Sequence, residues 1–251
     1  MEGDHEIDLD DLDGLFGEER VNLGGPNSTP VVWDCGESFP KLHFIVSSSS
    51  STALMAHHVW QSSLILGKLL AKQSIPGVVI VPHKTTVVEL GAGAAVPSIV
   101  CDVILNCRKV IATDYPDEKV LQAMEENSQR NGCKNLQVMG YAWGTSCENL
   151  FISIGGSVDI LLAADTLWIL KYHPLLVQSI LNLMSMNTVL VLSYMHHDHD
   201  GETANKFFDA IDPFLQLEHE SKHNWRKNQV SNMTKLEYGD VHIRVYRRKH
   251  I

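Results

Sequence analysis

An α/β fold, with a parallel sheet carrying helices on both faces, follows from the spacing of short aliphatic runs, from the stretches between them and from one glycine turn. The runs lie at 85–90, 109–113, 135–139, 158–163 and 188–193, each short enough for a buried strand. The stretches between them are long enough for helical crossovers, which parallel neighbours require. The turn is Gly91-Ala92-Gly93, at the end of the first run and ahead of an apolar segment containing Pro97.

Residues 1–30 are acidic and glycine-rich, with Leu9, Leu12, Leu15 and Phe16 near helical spacing among aspartates. They are expected to form a flexible segment, residues 31–251 forming one domain; the alternative is a short helix that docks on the core or steers a basic substrate. The serines at 47–51 offer a turn or a helix cap. Residues 54–73 carry Val59, Ile65, Leu66, Leu69 and Leu70 near helical spacing, predicting a helix against the sheet with Trp60 on it. A tryptophan so placed is ordinarily a core residue.

In the first core strand Val87 and Val88 suit burial, and Gly91 and Gly93 allow positive φ and a close approach of ligand to backbone. Pro97 has φ preset and no amide hydrogen to leave unpaired, so 97–104 is predicted as the crossover helix. The second strand ends at Asp114, about 20 residues past the turn, where a carboxylate can accept both hydroxyls of a ribose. Residues 157–165 predict a buried strand that delivers Asp165 to the same edge, either as a cap for the next helix or as a site residue. Residues 203–214 predict an apolar-faced helix. Residues 215–220 and 241–247 predict an antiparallel hairpin at one sheet edge, Val241, Ile243 and Val245 alternating with His242, Arg244 and Tyr246. Arg247-Arg248-Lys249 reads as a solvated end.

Two ligand classes suit the turn. A dinucleotide fold wants a third small residue where Val96 stands, and Glu89 would repel a diphosphate. The same carboxylate suits a ligand carrying an ammonium and a sulfonium, as S-adenosylmethionine does. Two glycines alone could equally be a plain strand-to-helix turn; the spacing to Asp114 weighs against that.

Glu-Leu-Gly-Ala-Gly at 89–93, Asp114-Tyr115-Pro116, Tyr141-Ala142-Trp143-Gly144 and Ala163-Ala164-Asp165-Thr166-Leu167-Trp168 resemble the seven-β-strand protein-lysine methyltransferases. The Asp-Tyr-Pro triplet is most similar to the fungal nicotinamide N-methyltransferase-like branch, which includes enzymes that methylate the N-terminus and a nearby lysine of a translation elongation factor. The resemblance runs from about Trp60 to the C-terminus. It implies a Rossmann-like seven-stranded sheet with a C-terminal antiparallel hairpin, and S-adenosyl-L-methionine as cofactor. It implies that Trp60 lies against the methionine end of that cofactor, that Gly91, Ala92 and Gly93 form its loop beside Glu89, and that Asp114, with Tyr115 following, binds the ribose. Trp143 would flank the adenine, and Ala164 would be the small residue after the fourth core strand. The family shows Asp-x-x-Tyr or Asp-x-x-Phe after that strand, whereas Asp165 is here followed by Trp168, so the acceptor pocket would differ in shape. Asp165, Trp168, Tyr194 and His196 are the candidates on the acceptor side; no residue is assigned as catalytic.

A formal net charge of −10 disfavours nucleic acid and suits basic protein partners. The motif Asn/Asp-Pro-Pro-Tyr, expected of enzymes acting on nucleobases, does not follow the fourth strand. Five cysteines contain no CxxC pair, which fits reduced cytosolic thiols better than a disulfide framework or a zinc cage. No apolar run reaches the ~18 residues of a membrane span, and the acidic start lacks a signal peptide's basic and apolar segments. A cytoplasmic monomer without membrane or metal is expected. His196-His197-Asp198-His199-Asp200 carries ligating side chains, but Gly201-Glu202 breaks the metallo-hydrolase spacing, and a polar loop is the plainer reading. The function expected is methyl transfer to a protein amine; a small-amine transferase of the nicotinamide type, a dinucleotide oxidoreductase and a noncatalytic cofactor-binding module stay open.

Overall fold

The computed structural model describes residues 31–46, 56, 58–198, 201–226 and 238–250. The acidic segment, the serine run, His57, His199 and Asp200 lie outside them. A two-stranded hairpin of β1 (Val31–Trp33) and β2 (Leu42–Phe44) precedes α1 (Gln61–Ala71). The chain then alternates through β3 (Thr86–Leu90), α2 (Val96–Val103), β4 (Lys109–Asp114), α3 (Glu118–Arg130), β5 (Leu136–Gly140), α4 (Glu148–Ile154) and β6 (Ile160–Ala164). After a short 3-10 turn at Leu170–Tyr172 come α5 (His173–Leu183), β7 (Val189–Tyr194), α6 (Glu202–Ile211), β8 (Leu215–Arg226) and β9 (Tyr238–Arg248). The seven-stranded sheet has the order β5-β4-β3-β6-β7-β9-β8, with β3 to β7 parallel and β9 antiparallel to both its neighbours. This is the predicted α/β architecture, hairpin included.

The aliphatic runs form strands because both sheet faces are covered. On one face Val87, Val110, Ala112, Leu162 and Val191 pack with Leu64, Leu70, Ile99 and Met124; on the other Val88, Ile111, Leu161 and Leu190 pack with Leu150, Leu176, Ile180 and Phe207. Each of these side chains except Ala112, fully withdrawn from water, contributes roughly 1.5–3 kcal/mol. Parallel strands necessarily end at one edge, and register there is tight: Leu90 lies opposite Thr113 on one side and Ala163 on the other. The glycine turn, Asp114 and Asp165 therefore share that edge.

Three local readings are corrected. Trp60 is not on α1 but immediately before it, in extended conformation at φ −78° and ψ 144°. Its carbonyl accepts the N–H groups of Ser63 (3.1 Å) and Leu64 (3.3 Å) and the Ser63 hydroxyl (2.7 Å), so the helix starts after the indole. The crossover helix begins at Val96, one residue ahead of Pro97, because Ala95 turns the chain with φ +60°. The C-terminal hairpin is much longer than 215–220 and 241–247, pairing Leu215 with Arg248 at one end and Arg226 with Tyr238 at the other.

Candidate functional site

The turn after β3 is built around two positive φ angles, +64° at Gly91 and +53° at Gly93. A Cβ on Gly91 would stand 2.9 Å from Thr166 Cγ2 and 3.0 Å from Trp143 Cζ2, so the indole and Thr166 close over that glycine. A Cβ on Gly93 would meet nothing within 4 Å, and the backbone there borders open space. Between them Ala92 is buried, its N–H donating to Thr113 O at 2.9 Å, which ties the turn to the end of β4.

Asp114 completes the cradle. Its Oδ2 accepts the Gly93 N–H and its Oδ1 the N–H of half-buried Tyr115, both at 2.7 Å. Burial pushes its carboxyl up to about 6, against these two bonds. Glu89 is fully buried one residue before the end of β3; its Oε2 accepts the N–H (3.0 Å) and hydroxyl (2.5 Å) of Ser98. Its Oε1 has no partner among the described residues, and burial pushes the carboxyl up to about 8. Glu89 thus sits under the first turn of α2, with Ser98 as a support that sequence reasoning missed.

Across the edge, Asp165 follows β6 with φ +57°, a left-handed conformation that Asp tolerates better than most residues, and its N–H donates to Ser193 O at 2.7 Å. It caps no helix. Its Oδ1 lies 2.8 Å from His197 Nε2, while its Oδ2 and the neighbouring Thr166 Oγ1 are buried without partners among the described residues. Burial pushes His197 down, yet the charge and hydrogen bond of Asp165, aided by Asp198, outweigh it and hold the imidazole above its ordinary value. The Trp60 indole stands at 89° to the His197 ring with centroids 5.3 Å apart, and His58 meets the same indole at 5.6 Å. Small, buried Ala164 ends β6 beside this group. Half-buried Trp168 lies in the loop beyond, which His173 holds through its Nε2, 3.0 Å from Leu167 O.

The structure therefore brings together Gly91, Trp143 and Thr166, then Gly93, Asp114 and Tyr115, then Asp165, His197 and Trp60. Tyr194 and His196 it sets elsewhere. Tyr194 is 2% exposed and packs on His242, Phe208 and His196 with centroids 5.1, 5.1 and 5.5 Å away, burial pushing its phenol up to about 12. His197, missed in the sequence, had a signal: Val189, Val191 and Met195 share one face and Leu190, Leu192 and Tyr194 the other, so alternation carried past β7 gives residue 197 to the face of Trp60 and residue 196 to that of α6. Among the described residues no group of three or more His, Cys, Asp or Glu side chains is arranged as a metal cage, and the five cysteines are free thiols. None of the described helices is long and apolar enough to cross a membrane.

A family profile described as lysine methyltransferase matches residues 40–214. The chain is 30% identical over 190 residues to the protein N-terminal and lysine N-methyltransferase efm7 of Schizosaccharomyces pombe, covering 72% of this chain and 71% of that one. It is 28% identical over 204 residues to the Candida glabrata protein of the same name, covering 78% and 76%. Among solved structures it is similar in fold to Pyrococcus horikoshii TYW2 in complex with MeSAdo, with a TM-score of 0.52 at 14% identity, covering 89% of this chain and 74% of that one.

Proposed function

The chain belongs to the lysine methyltransferase family, and from that premise we propose that it transfers a methyl group from S-adenosyl-L-methionine to a protein amine. The acceptor in this reading is lysine, the N-terminal amine or both, on a translation elongation factor, in the cytoplasm. The observation that carries the reading is the pairing of an open backbone at Gly93 with a buried carboxylate, Asp114, that already grips the same peptide.

These residues fit the cofactor. Asp114 retains lone pairs for the two ribose hydroxyls, and Gly93 has no side chain to exclude the sugar. Trp143 would offer its ring to the adenine, Tyr115 would border the ribose, and Ala164 would leave room beside the end of β6. Trp60 would lie on the methionine side, where Glu89 would supply negative charge from beneath the turn once a cationic ligand draws its carboxyl into the ionised form. The free Oε1 of Glu89 is the orphaned polar atom that a cationic ligand would favour in its ionised form. When bound, the cofactor supplies a methyl group made electrophilic by its sulfonium. The chain's own contribution is alignment, exclusion of water and management of the acceptor's proton. Asp165 and Trp168 stand on the acceptor side in this reading, whereas Tyr194 and His196 pack with His242 away from them.

Radiolabelled methyl donor, purified protein and a cytosolic lysate from cells lacking it test the reading. A labelled protein band is expected, lost with Asp114→Ala, after which mass spectrometry locates the amine. Label confined to small molecules would move the assignment to a nicotinamide-type transferase. No transfer and no donor binding would leave a noncatalytic module.

A further inference from the structure

We infer that His197 takes the proton that the acceptor amine must lose, a role that rests on the transferase reading and adds to it a catalytic residue on the acceptor side. Asp165 Oδ1, 2.8 Å from Nε2, fixes the tautomer with the proton on Nε2 and leaves a lone pair on Nδ1, to which no described residue bonds. The perpendicular Trp60 indole holds the ring in place, and with 14% of the side chain exposed His197 is shielded yet reachable. The pair stands between β6 and β7, and β6 is the neighbour of the strand that carries the glycine turn. Asp165 Oδ2 and Thr166 Oγ1, buried and unpartnered among the described residues, are the kind of polar atoms that a ligand's N–H groups satisfy.

The chemistry needs such a group. Near pH 7.4 a lysine of ordinary pKa is neutral in about one molecule in a thousand, an α-amine in roughly a fifth to a third. The acceptor's ammonium gives a proton to His197 Nδ1, and the imidazolium formed keeps its Nε2–H on Asp165 Oδ1. The freed lone pair forms the N–C bond as the donor's C–S bond breaks and its electron pair remains on sulfur. His197 then returns its proton to water. Among the described residues the charged groups acting on the ring are Asp165 and Asp198, and both favour the imidazolium. His58 touches the same indole from its own segment.

His197→Gln tests the role, because the amide can keep an N–H toward Asp165 but cannot take up a proton. Methyl transfer to cytosolic protein is followed from pH 6.5 to 9.5 for wild type, His197→Gln and Asp165→Asn, with donor affinity measured by calorimetry and the His197 titration by NMR of histidine-labelled protein. At pH 7 the Gln variant is expected to lose about 100-fold or more in rate on lysine, at unchanged donor affinity. That loss shrinks about tenfold per pH unit as the amine sheds its proton unaided. It is expected to be only a few-fold on an α-amine. The His197 midpoint falls in Asp165→Asn. A Gln variant with the wild-type rate and pH profile, or one whose rate loss is matched by lost donor affinity, overturns the role while leaving the transferase reading intact. A wild-type protein that transfers no methyl group overturns both.

Discussion

At the scale of single residues the site is governed by buried acids. Glu89 is the extreme case: with its carboxyl near 8 in the folded chain and near the ordinary 4.5 when unfolded, the two states bind protons differently across that window. Below pH 4.5 both are protonated and no penalty arises. As pH rises toward 8 the unfolded chain ionises first, so stability falls with rising pH; beyond 8 the difference is constant. At 1.36 kcal/mol per pKa unit the ceiling is roughly 5 kcal/mol. Glu89→Gln keeps an acceptor for Ser98 and cannot ionise, so its stability advantage over wild type is expected to be small at pH 5 and several kcal/mol at pH 8.5. Urea midpoints at the two pH values measure it, and a constant gap would show Glu89 ionised in the folded protein throughout. The acid itself was legible from its place before the turn. Its burial under Ser98 was not, because that depends on where α2 begins, and α2 begins one residue earlier than Pro97 suggests.

At the scale of elements, strands with a private apolar signature could be read and those without one could not. The runs at β3, β4, β6 and β7 are wholly or almost wholly buried, and composition alone announces them. β1 and β2 have three residues each and are held from far along the chain. Asn127 Oδ1 accepts the Ile45 N–H at 2.7 Å, and its Nδ2 donates to Ile45 O (2.9 Å) and Ala94 O (3.1 Å). One turn on, Asn131 binds the N–H and carbonyl of His43, each at 2.8 Å. No local pattern reports a carboxamide 82 residues away standing in for a neighbouring strand. Because Asn127 also holds the backbone just past Gly93, it couples the N-terminal hairpin to the glycine turn. Asn127→Ala is expected to cost roughly 2–4 kcal/mol, since a buried polar group left unmet costs about 1–3 kcal/mol. The exposed bonds of Asn131 can pass to water, and Asn131→Ala is expected to cost under about 1 kcal/mol. Thermal or urea unfolding of the two variants decides it; equal losses would mean that the link to Ala94 carries no special weight.

At the scale of the whole molecule the charge is unevenly placed along the chain. Residues 1–30 hold nine acids and one arginine, a net of −8 out of the total −10, which leaves only −2 for residues 31–251. The folded domain is therefore nearly neutral, and any long-range pull on a basic acceptor belongs to the N-terminal segment. Such a pull acts on encounter rather than on the chemical step and weakens as salt shortens the screening length from about 10 Å at 0.1 M to about 3 Å at 1 M. Residues 31–251 alone are accordingly expected to bind the methyl donor as tightly as the full chain, with the same kcat. Their KM for a basic protein acceptor should be several-fold higher at low salt, and that KM should change little between 0.05 and 0.5 M salt while the full chain's rises. Steady-state kinetics across salt, with donor affinity as control, separate the two cases. If the shortened chain keeps the full chain's salt dependence, the attraction comes from local charges such as Asp165 and Asp198, and residues 1–30 contribute nothing to it.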